Sequence, residues 1–412
     1  MERGELRRRL GVTATGERAA RLVCAAAPAD FQRDFAKAVA GDGNIFLGNP
    51  TWSEAERAHA HRLMAQADAP KEDRGWLMIP TGGSSGQLKF ARHDGHTLAA
   101  SVRGFVNHFG LGPVNAVGLL PLHHVSGFVA WMRCVMTGGD YRAWEWKRCE
   151  RGDWPELEPA GAWVTSLVPT QLDRLLRDDA CGAGRLRRFR AVFLGGAPAW
   201  SDLLERAAVA RVPLVLSYGM TETAAMVAAQ RPSEFLAGDR SSGAVLPHAR
   251  VELDEVGVVR IAGPSLFRGY FPEWRHERKF FETADLGRLD EGRRLHVLGR
   301  RDAAIITGGE KVQPAEVETA LRPAAGTAEF AVVGVPDAEW GERVVCVHAA
   351  AEPFDRTAVE QAASARLSPP QRPKAYVALA EWPRNEAGKL NRARLVALAE
   401  AQLRAGGGRS PG

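Results

Sequence analysis

Short apolar runs alternating with helical spacing dominate the stretch between residues 76 and 216. Residues 76–79, 116–120, 163–168, 191–194 and 214–216 each read as a strand. Each run ends in Gly, Pro, Ser or Thr before a helical stretch begins, and that alternation predicts a largely parallel α/β sheet. Upstream, Phe31, Phe35 and Val39 recur four apart. They predict an amphipathic helix over 30–40, with Asp30 as its N-cap and Gly43-Asn44 at its end. From 244 to 261, short alternating strands broken by Asp254-Glu255 and Gly257 predict an antiparallel subdomain. After Gly299-Arg300-Arg301-Asp302 a small α+β unit is expected: helix 314–321, strands 330–335 and 344–349, helix 356–367 and strand 375–379. The expected fold is α/β: a large N-terminal domain of stacked α/β subdomains over 1–300 and a small α+β C-terminal domain over 301–405. The Gly-rich tail 406–412 is expected to be disordered.

Composition narrows the class. The 412 residues are 45% hydrophobic and 25% charged, ordinary for a soluble globular protein. No run of about eighteen apolar residues predicts a membrane span. The charged start, residues 1–12, lacks an apolar signal core, so a cytoplasmic location is expected. Cys24, Cys134, Cys149, Cys181 and Cys346 are scattered without a CxxC pair, which favours buried free thiols over zinc or disulfides. The net charge of +5 comes from dispersed arginines, with small clusters only at 7–9 and 185–190. That pattern favours a solvated surface over a nucleic-acid footprint, and a polyphosphate ligand would also welcome the field.

The most informative stretch is Ile79-Pro80-Thr81-Gly82-Gly83-Ser84-Ser85-Gly86-Gln87-Leu88-Lys89. Glycines let backbone approach phosphate closely, hydroxyls and amides donate to its oxygens, and lysine adds charge. The spacing is not that of a Walker A loop, because Lys89 precedes Phe90 rather than Ser or Thr. Taken alone, the stretch could also be a flexible connector. Three further segments follow it in order: Ser217-Tyr218-Gly219-Met220-Thr221-Glu222-Thr223, Thr283-Ala284-Asp285-Leu286-Gly287 and Pro383-Arg384-Asn385-Glu386-Ala387-Gly388-Lys389-Leu390.

Together these segments resemble the signature motifs of the adenylate-forming superfamily, which includes acyl-CoA synthetases, peptide-synthetase adenylation domains and luciferases. Residues 299–318, with Asp302 and Gly308-Gly309-Glu310-Lys311, resemble that family's hinge. The resemblance runs from about residue 76 to 395. It implies an ATP-dependent acid–CoA ligase with ATP, Mg²⁺ and coenzyme A as nucleotide, cation and co-substrate, acting on a small-molecule carboxylic acid. Thr81, Gly82, Gly83, Ser84, Ser85, Gly86 and Lys89 would wrap the β- and γ-phosphates. Tyr218, with Gly219 and Met220 beside it, would lie against adenine, and Gly195, Gly196 and Ala197 would form the opposite wall. Thr221 would touch the α-phosphate and Glu222 would hold the metal. Asp285 would bind the ribose, assisted by Arg300. Lys389 would neutralise charge during adenylation, and Asp302 would be the pivot of a mobile C-terminal domain.

Pro121-Leu122-His123-His124-Val125-Ser126-Gly127 resembles the family's acyl-pocket motif. The segment Thr165-Ser166-Leu167-Val168-Pro169-Thr170-Gln171-Leu172, together with 308–314, looks like the 2-succinylbenzoate–CoA ligases of menaquinone biosynthesis. Such an acid carries a second carboxylate, so His123, His124, Ser126, Ser166 and Thr170 are candidate pocket residues. The length agrees with that group, since fatty acyl relatives run longer. Gly82 and Leu88 stand where many relatives carry serine and proline, so looser loop closure is expected. Few residues precede the loop, and the N-terminal subdomain is expected to be abridged. Other readings stay open: adenylation of another aromatic or short acid, loading of a carrier protein, a non-catalytic sensor of AMP or acyl-adenylate, and association into a homodimer.

Overall fold

The computed structural model describes residues 2–67, 75–82, 88–158, 161–177, 181–196, 199–274, 279–384 and 390–406. At its centre is a seven-stranded sheet. In spatial order its strands are Ala244–Val245, Ala225–Ala229, Leu214–Met220, Ala191–Leu194, Val164–Leu167, Ala116–Gly118 and Tyr141–Ala143. The last five run parallel, and Ala225–Ala229 turns back antiparallel on Leu214–Met220. Every residue of Ala191–Leu194 is buried. Val192 and Leu194 enter one core with Leu172 and Leu203, while Ala191 and Phe193 enter another with Phe105 and Leu246. A period-two strand covered on both faces has no polar side, which is why these strands read as uninterrupted apolar runs.

A second sheet holds Arg21–Val23, Ile45–Leu47, Leu77–Gly82 and Leu88–His93, the last antiparallel to its neighbour. The run at 76–79 therefore belongs here and not with the later apolar runs. Its apolar character suits either sheet, so pattern alone could not assign its partners. Helix Pro28–Ala40 buries Phe31, Phe35 and Val39 as expected. It begins at Pro28, whose fixed φ suits a first turn, so Ala27 is the N-cap and Asp30 lies inside; Gly41 closes it, ahead of Gly43. The Phe35 ring meets Phe128 at 5.0 Å and Trp131 at 5.4 Å, fastening this layer to helix Val125–Thr137.

A third, antiparallel sheet comprises Arg250–Leu253, Val258–Ala262, Phe281–Leu289 and Leu295–Arg300. Ala244–Val245, expected within it, instead pairs with Ala225–Ala229. The fourth sheet combines Glu310–Val312, Ile305–Thr307, Gly341–Ala349, Phe330–Asp337 and Ala375–Leu379. Helices Pro314–Ala325 and Arg356–Arg366 pack into one of its cores, and Arg392–Gly406 into the other. Among the described residues no helix is long and apolar enough to cross a membrane. Cys24, Cys134, Cys149 and Cys346 are free; all but the half-buried Cys24 are buried, and burial pushes those three thiols up to about 12.

One buried ion pair joins these layers. Asp94 caps helix Gly95–Phe109 by accepting from the Thr97 amide at 2.8 Å. Its Oδ2 accepts from Arg268 Nε at 2.7 Å, with side-chain exposures of 4% and 8%. Burial opposes the carboxylate's charge, but Arg268 and the Thr97 amide together hold it below the usual range. Removing one partner strands the other charge in the interior. Arg268→Met should therefore cost about 3–5 kcal/mol in urea unfolding. Adding Asp94→Asn to that variant should recover part of the loss; equal stability of Arg268→Met and the parent would contradict this account.

Candidate functional site

Strands Leu77–Gly82 and Leu88–His93 pair from Leu77↔His93 to Gly82↔Leu88. Half-buried Thr81 thus lies opposite exposed Lys89 near the end of this antiparallel pair. Gly83, Ser84, Ser85 and Gly86 lie outside the described residues, as do Ala197 and Lys389. Gly195 and Gly196 follow strand Ala191–Leu194, with Gly196 at φ +84°. The neighbouring strand brings Ser217 alongside: its Oγ donates to the Leu194 carbonyl at 3.5 Å. Tyr218 comes next on that strand. These residues, with Ser166, sit toward the carboxyl ends of parallel strands, where open α/β sheets place their ligands.

The turn after Leu214–Met220 carries Thr221, Glu222 and Thr223 in one 3₁₀ turn. Ala224 and Ala225 follow with φ of +51° and +81°, conformations that L-residues resist. Hydrogen bonds hold them there: Ser101 Oγ donates to the Ala224 carbonyl at 2.6 Å, and Thr223 Oγ1 lies 2.5 Å from that of Ala225. Gly219 faces this turn so closely that a Cβ would lie 2.1 Å from the Ala225 oxygen. Thr221 is pinned from behind: His93 Nε2 donates to its carbonyl at 2.8 Å. Burial pushes His93 down to about 4, so this ring stays neutral with its proton on Nε2. Glu222 is buried, accepts from the Tyr270 hydroxyl at 2.6 Å, and gives its carbonyl to the Phe267 amide at 2.8 Å.

Asp285 and Arg300 are directly paired across strands Phe281–Leu289 and Leu295–Arg300. The Tyr218 hydroxyl donates to Asp285 Oδ2 at 2.6 Å, and burial together with that carboxylate pushes the phenol up, keeping it protonated. Arg300 approaches Asp285 at 3.6 Å but makes a two-pronged bond to Asp302, at 2.7 and 2.6 Å, which raises its own pKa further. The adenine, ribose and hinge candidates thus form one continuous polar chain.

A narrow cavity of about 10 Å³ lies between helix Val125–Thr137 and the central sheet. Ser126 and Ser166 line it, along with Ala116, Val164 and Phe193; His123, His124 and Thr170 lie outside its lining. Arg133 also lines it, and nothing in the spacing marked that arginine as functional. It is 4% exposed and lies over the Phe105 ring at 3.9 Å. Neither its Nε nor its Nη2 has a hydrogen-bond partner among the described residues. Burial pushes its pKa down to about 9, which still leaves a cation at neutral pH. A buried, incompletely paired guanidinium is costly, so its presence in a cavity calls for an anionic partner. Nearby His248 is held neutral, pushed down to about 4 by burial and by the charges of Arg133 and Arg103.

Among the described residues no group of three or more His, Cys, Asp and Glu could hold a metal. Glu222 alone therefore makes no metal cage. A single buried carboxylate fits magnesium delivered together with a nucleotide, since that cation favours one or two carboxylates plus phosphate oxygens.

Residues 17–271 match the AMP-binding enzyme family, and residues 316–389 match the AMP-binding enzyme C-terminal domain. The 2-succinylbenzoate–CoA ligase of Listeria monocytogenes is 33% identical over 285 residues, covering 67% of this chain and 60% of that protein. That of Enterococcus faecalis is 29% identical over 331 residues, covering 77% and 68%. The chain thus spans about 60% of the length of the first of these relatives. The o-succinylbenzoate CoA synthetase of Bacillus subtilis, solved with its acyl-adenylate intermediate, shares the fold at TM-score 0.77 and 23% identity, over 95% of this chain and 91% of that one. ATP-bound MatB from Rhodopseudomonas palustris does so at 0.74 and 22%, over 97% and 92%.

Three buried imidazoles, His93, His123 and His248, and the half-buried His124 are shifted down, His93, His124 and His248 to about 4 and His123 to about 3, burial being the first cause in each. Unfolded, each takes up a proton near pH 6.5, which the folded form does not do until far lower pH. Stability should therefore fall as pH drops from 7 to 5, by up to about 1.4 kcal/mol per pH unit for each ring. Urea unfolding across that range checks this, and His93→Gln should reduce the slope by roughly one proton's worth. A flat profile would mean that these rings are protonated in the fold.

Proposed function

The chain belongs to the AMP-binding enzyme family, and from that premise we propose that it is a ligase activating 2-succinylbenzoate with ATP and passing the acyl group to coenzyme A. The observation that carries the choice of acid is Arg133, a buried cation facing an apolar cavity that also presents the Ser126 and Ser166 hydroxyls. An acid with one carboxylate for chemistry and another for recognition meets both demands. The names of the curated relatives support the same acid.

In the proposed reaction a carboxylate oxygen of the acid attacks the α-phosphorus of ATP, and the bond to the bridging oxygen breaks to release pyrophosphate. The thiol of coenzyme A then loses its proton and attacks the acyl carbon, expelling AMP. Thr81 to Lys89 hold the terminal phosphates, while Gly195 to Ala197 and Tyr218 to Met220 bracket the adenine. Asp285 and Arg300 receive the ribose, and Thr221 contacts the α-phosphate. Lys389, a cation from the smaller unit, offsets charge in the first step. Magnesium, when bound with the nucleotide at Glu222, supplies further neutralisation of the phosphates. Residues 301–405 form a mobile domain turning about Asp302, so that the second step uses a different face of it. The cavity holds roughly one water in its present shape, so the acid must widen it on entry. The reaction takes place in the cytoplasm.

Incubation with ATP, Mg²⁺, coenzyme A and 2-succinylbenzoate should yield AMP and pyrophosphate; ADP as product would sink the ligase reading. Screening ATP–pyrophosphate exchange against mono- and dicarboxylic aromatic acids tests the pocket. Arg133→Met should raise KM for the dicarboxylate about 10–100-fold while leaving KM for ATP unchanged. Because it removes an unpaired buried charge, it should not lower thermal stability.

A further inference from the structure

The Tyr270 hydroxyl, the Glu222 carboxylate and the Lys89 ammonium converge on one aromatic ring. The phenol donates to Glu222 Oε1 at 2.6 Å, and Lys89 Nζ lies 5.5 Å from the ring centroid. Neither motif that supplied Glu222 and Lys89 contains this tyrosine, which lies 48 positions beyond Glu222.

The backbone around Tyr270 is fixed to strand Leu88–His93. Tyr270 bridges Ala91, the Phe271 amide donates to Phe90 at 2.9 Å, and the Arg268 amide donates to Arg92 at 2.7 Å. The Phe267 amide, three residues back, holds the Glu222 carbonyl, and the Phe267 and Tyr270 rings meet edge to face at 4.9 Å. The phenol therefore reaches Glu222 from a segment bridged to the strand that carries Lys89, while Glu222 is anchored to the same segment through its main chain. A glutamate side chain free to rotate must be ordered when it takes a cation, at a cost of order 1–2 kcal/mol. A neutral donor holding one carboxylate oxygen removes most of that cost and leaves the other oxygen for the cation. The same ring is in contact with Lys89 on its face and with Glu222 through its hydroxyl.

We infer that Tyr270 is a positioning residue that presets Glu222 for the divalent cation arriving with the nucleotide. This inference rests on the proposed nucleotide-dependent function. Loss of such an outer partner typically weakens metal affinity about 10–100-fold. Tyr270→Phe keeps the ring, its packing and its contact with Lys89, and removes only the hydrogen bond.

Mn²⁺ binding to the full-length protein with ATP, followed by electron paramagnetic resonance, reads the effect without turnover. Tyr270→Phe should weaken Mn²⁺ at least about tenfold, with ATP affinity in EDTA and the urea midpoint unchanged. In a Glu222→Gln background the same substitution should have no further effect. Unchanged Mn²⁺ affinity in Tyr270→Phe, an equal loss of ATP affinity in EDTA, or additive losses in the double variant would overturn the inference and leave the ligase reading standing. Failure of the parent protein to bind ATP with Mn²⁺ would overturn both.

Discussion

Asp94 and Arg268 stand 174 positions apart and meet at 2.7 Å with almost no exposure. Either charge alone would be intolerable in that interior, so the pair forms only when three layers are in place. Those layers are the strand pair ending at His93, the helix capped by Asp94, and the segment around Arg268. The neighbouring contacts use that fixed geometry. His93 reaches the Thr221 carbonyl, the Phe267 amide reaches that of Glu222, and Tyr270 reaches the Glu222 carboxylate. The short turn presenting Thr221 and Glu222 is therefore held from its back and its flank by residues that need not touch a ligand. Its two alanines at positive φ are tolerable for the same reason, because the surroundings over-determine their conformation.

Much of the candidate site's geometry was legible because its motifs set particular residue types at particular turns. Gly219 illustrates the point: the motif marks it, and the structure supplies the reason, an Ala225 oxygen where a Cβ would be. Tyr218, Asp285 and Arg300 were named from separate motifs and prove to be joined by hydrogen bonds and an ion pair. The parallel strands were legible because burial on both faces leaves an unmistakable apolar run.

What sequence concealed were contacts that depend on long-range registry. Arg133 lies in an otherwise apolar helix and reads as one more arginine among many; only its burial and missing partners distinguish it. His93 ends a strand and Tyr270 makes a single bridge to Ala91, and no local pattern reveals which distant segments they meet. The same limit sent residues 76–79 to the wrong sheet and moved Ala244–Val245 out of the antiparallel one. Helix ends failed for a more local reason: Pro28 sets the first turn of its helix before Asp30 can cap it.

The site contains two kinds of electrostatics, and they assign different jobs to different regions. Around the turn and the ribose candidates, charges are already answered: Asp285 by Tyr218 and Arg300, Arg300 by Asp302, Asp94 by Arg268. Answered charges keep their geometry whether or not a ligand is present, which suits a nucleotide common to the whole family. Arg133 is the opposite case, a cation held on an aromatic face in a cavity with donors left over. Its desolvation is a standing cost that an anionic group can repay and an uncharged one cannot. On the proposed reading, an acid lacking the second carboxylate would leave Nε and Nη2 of that guanidinium without partners. Under the proposed function, discrimination among acids would arise less from attraction to the right one than from a penalty that only the right one relieves.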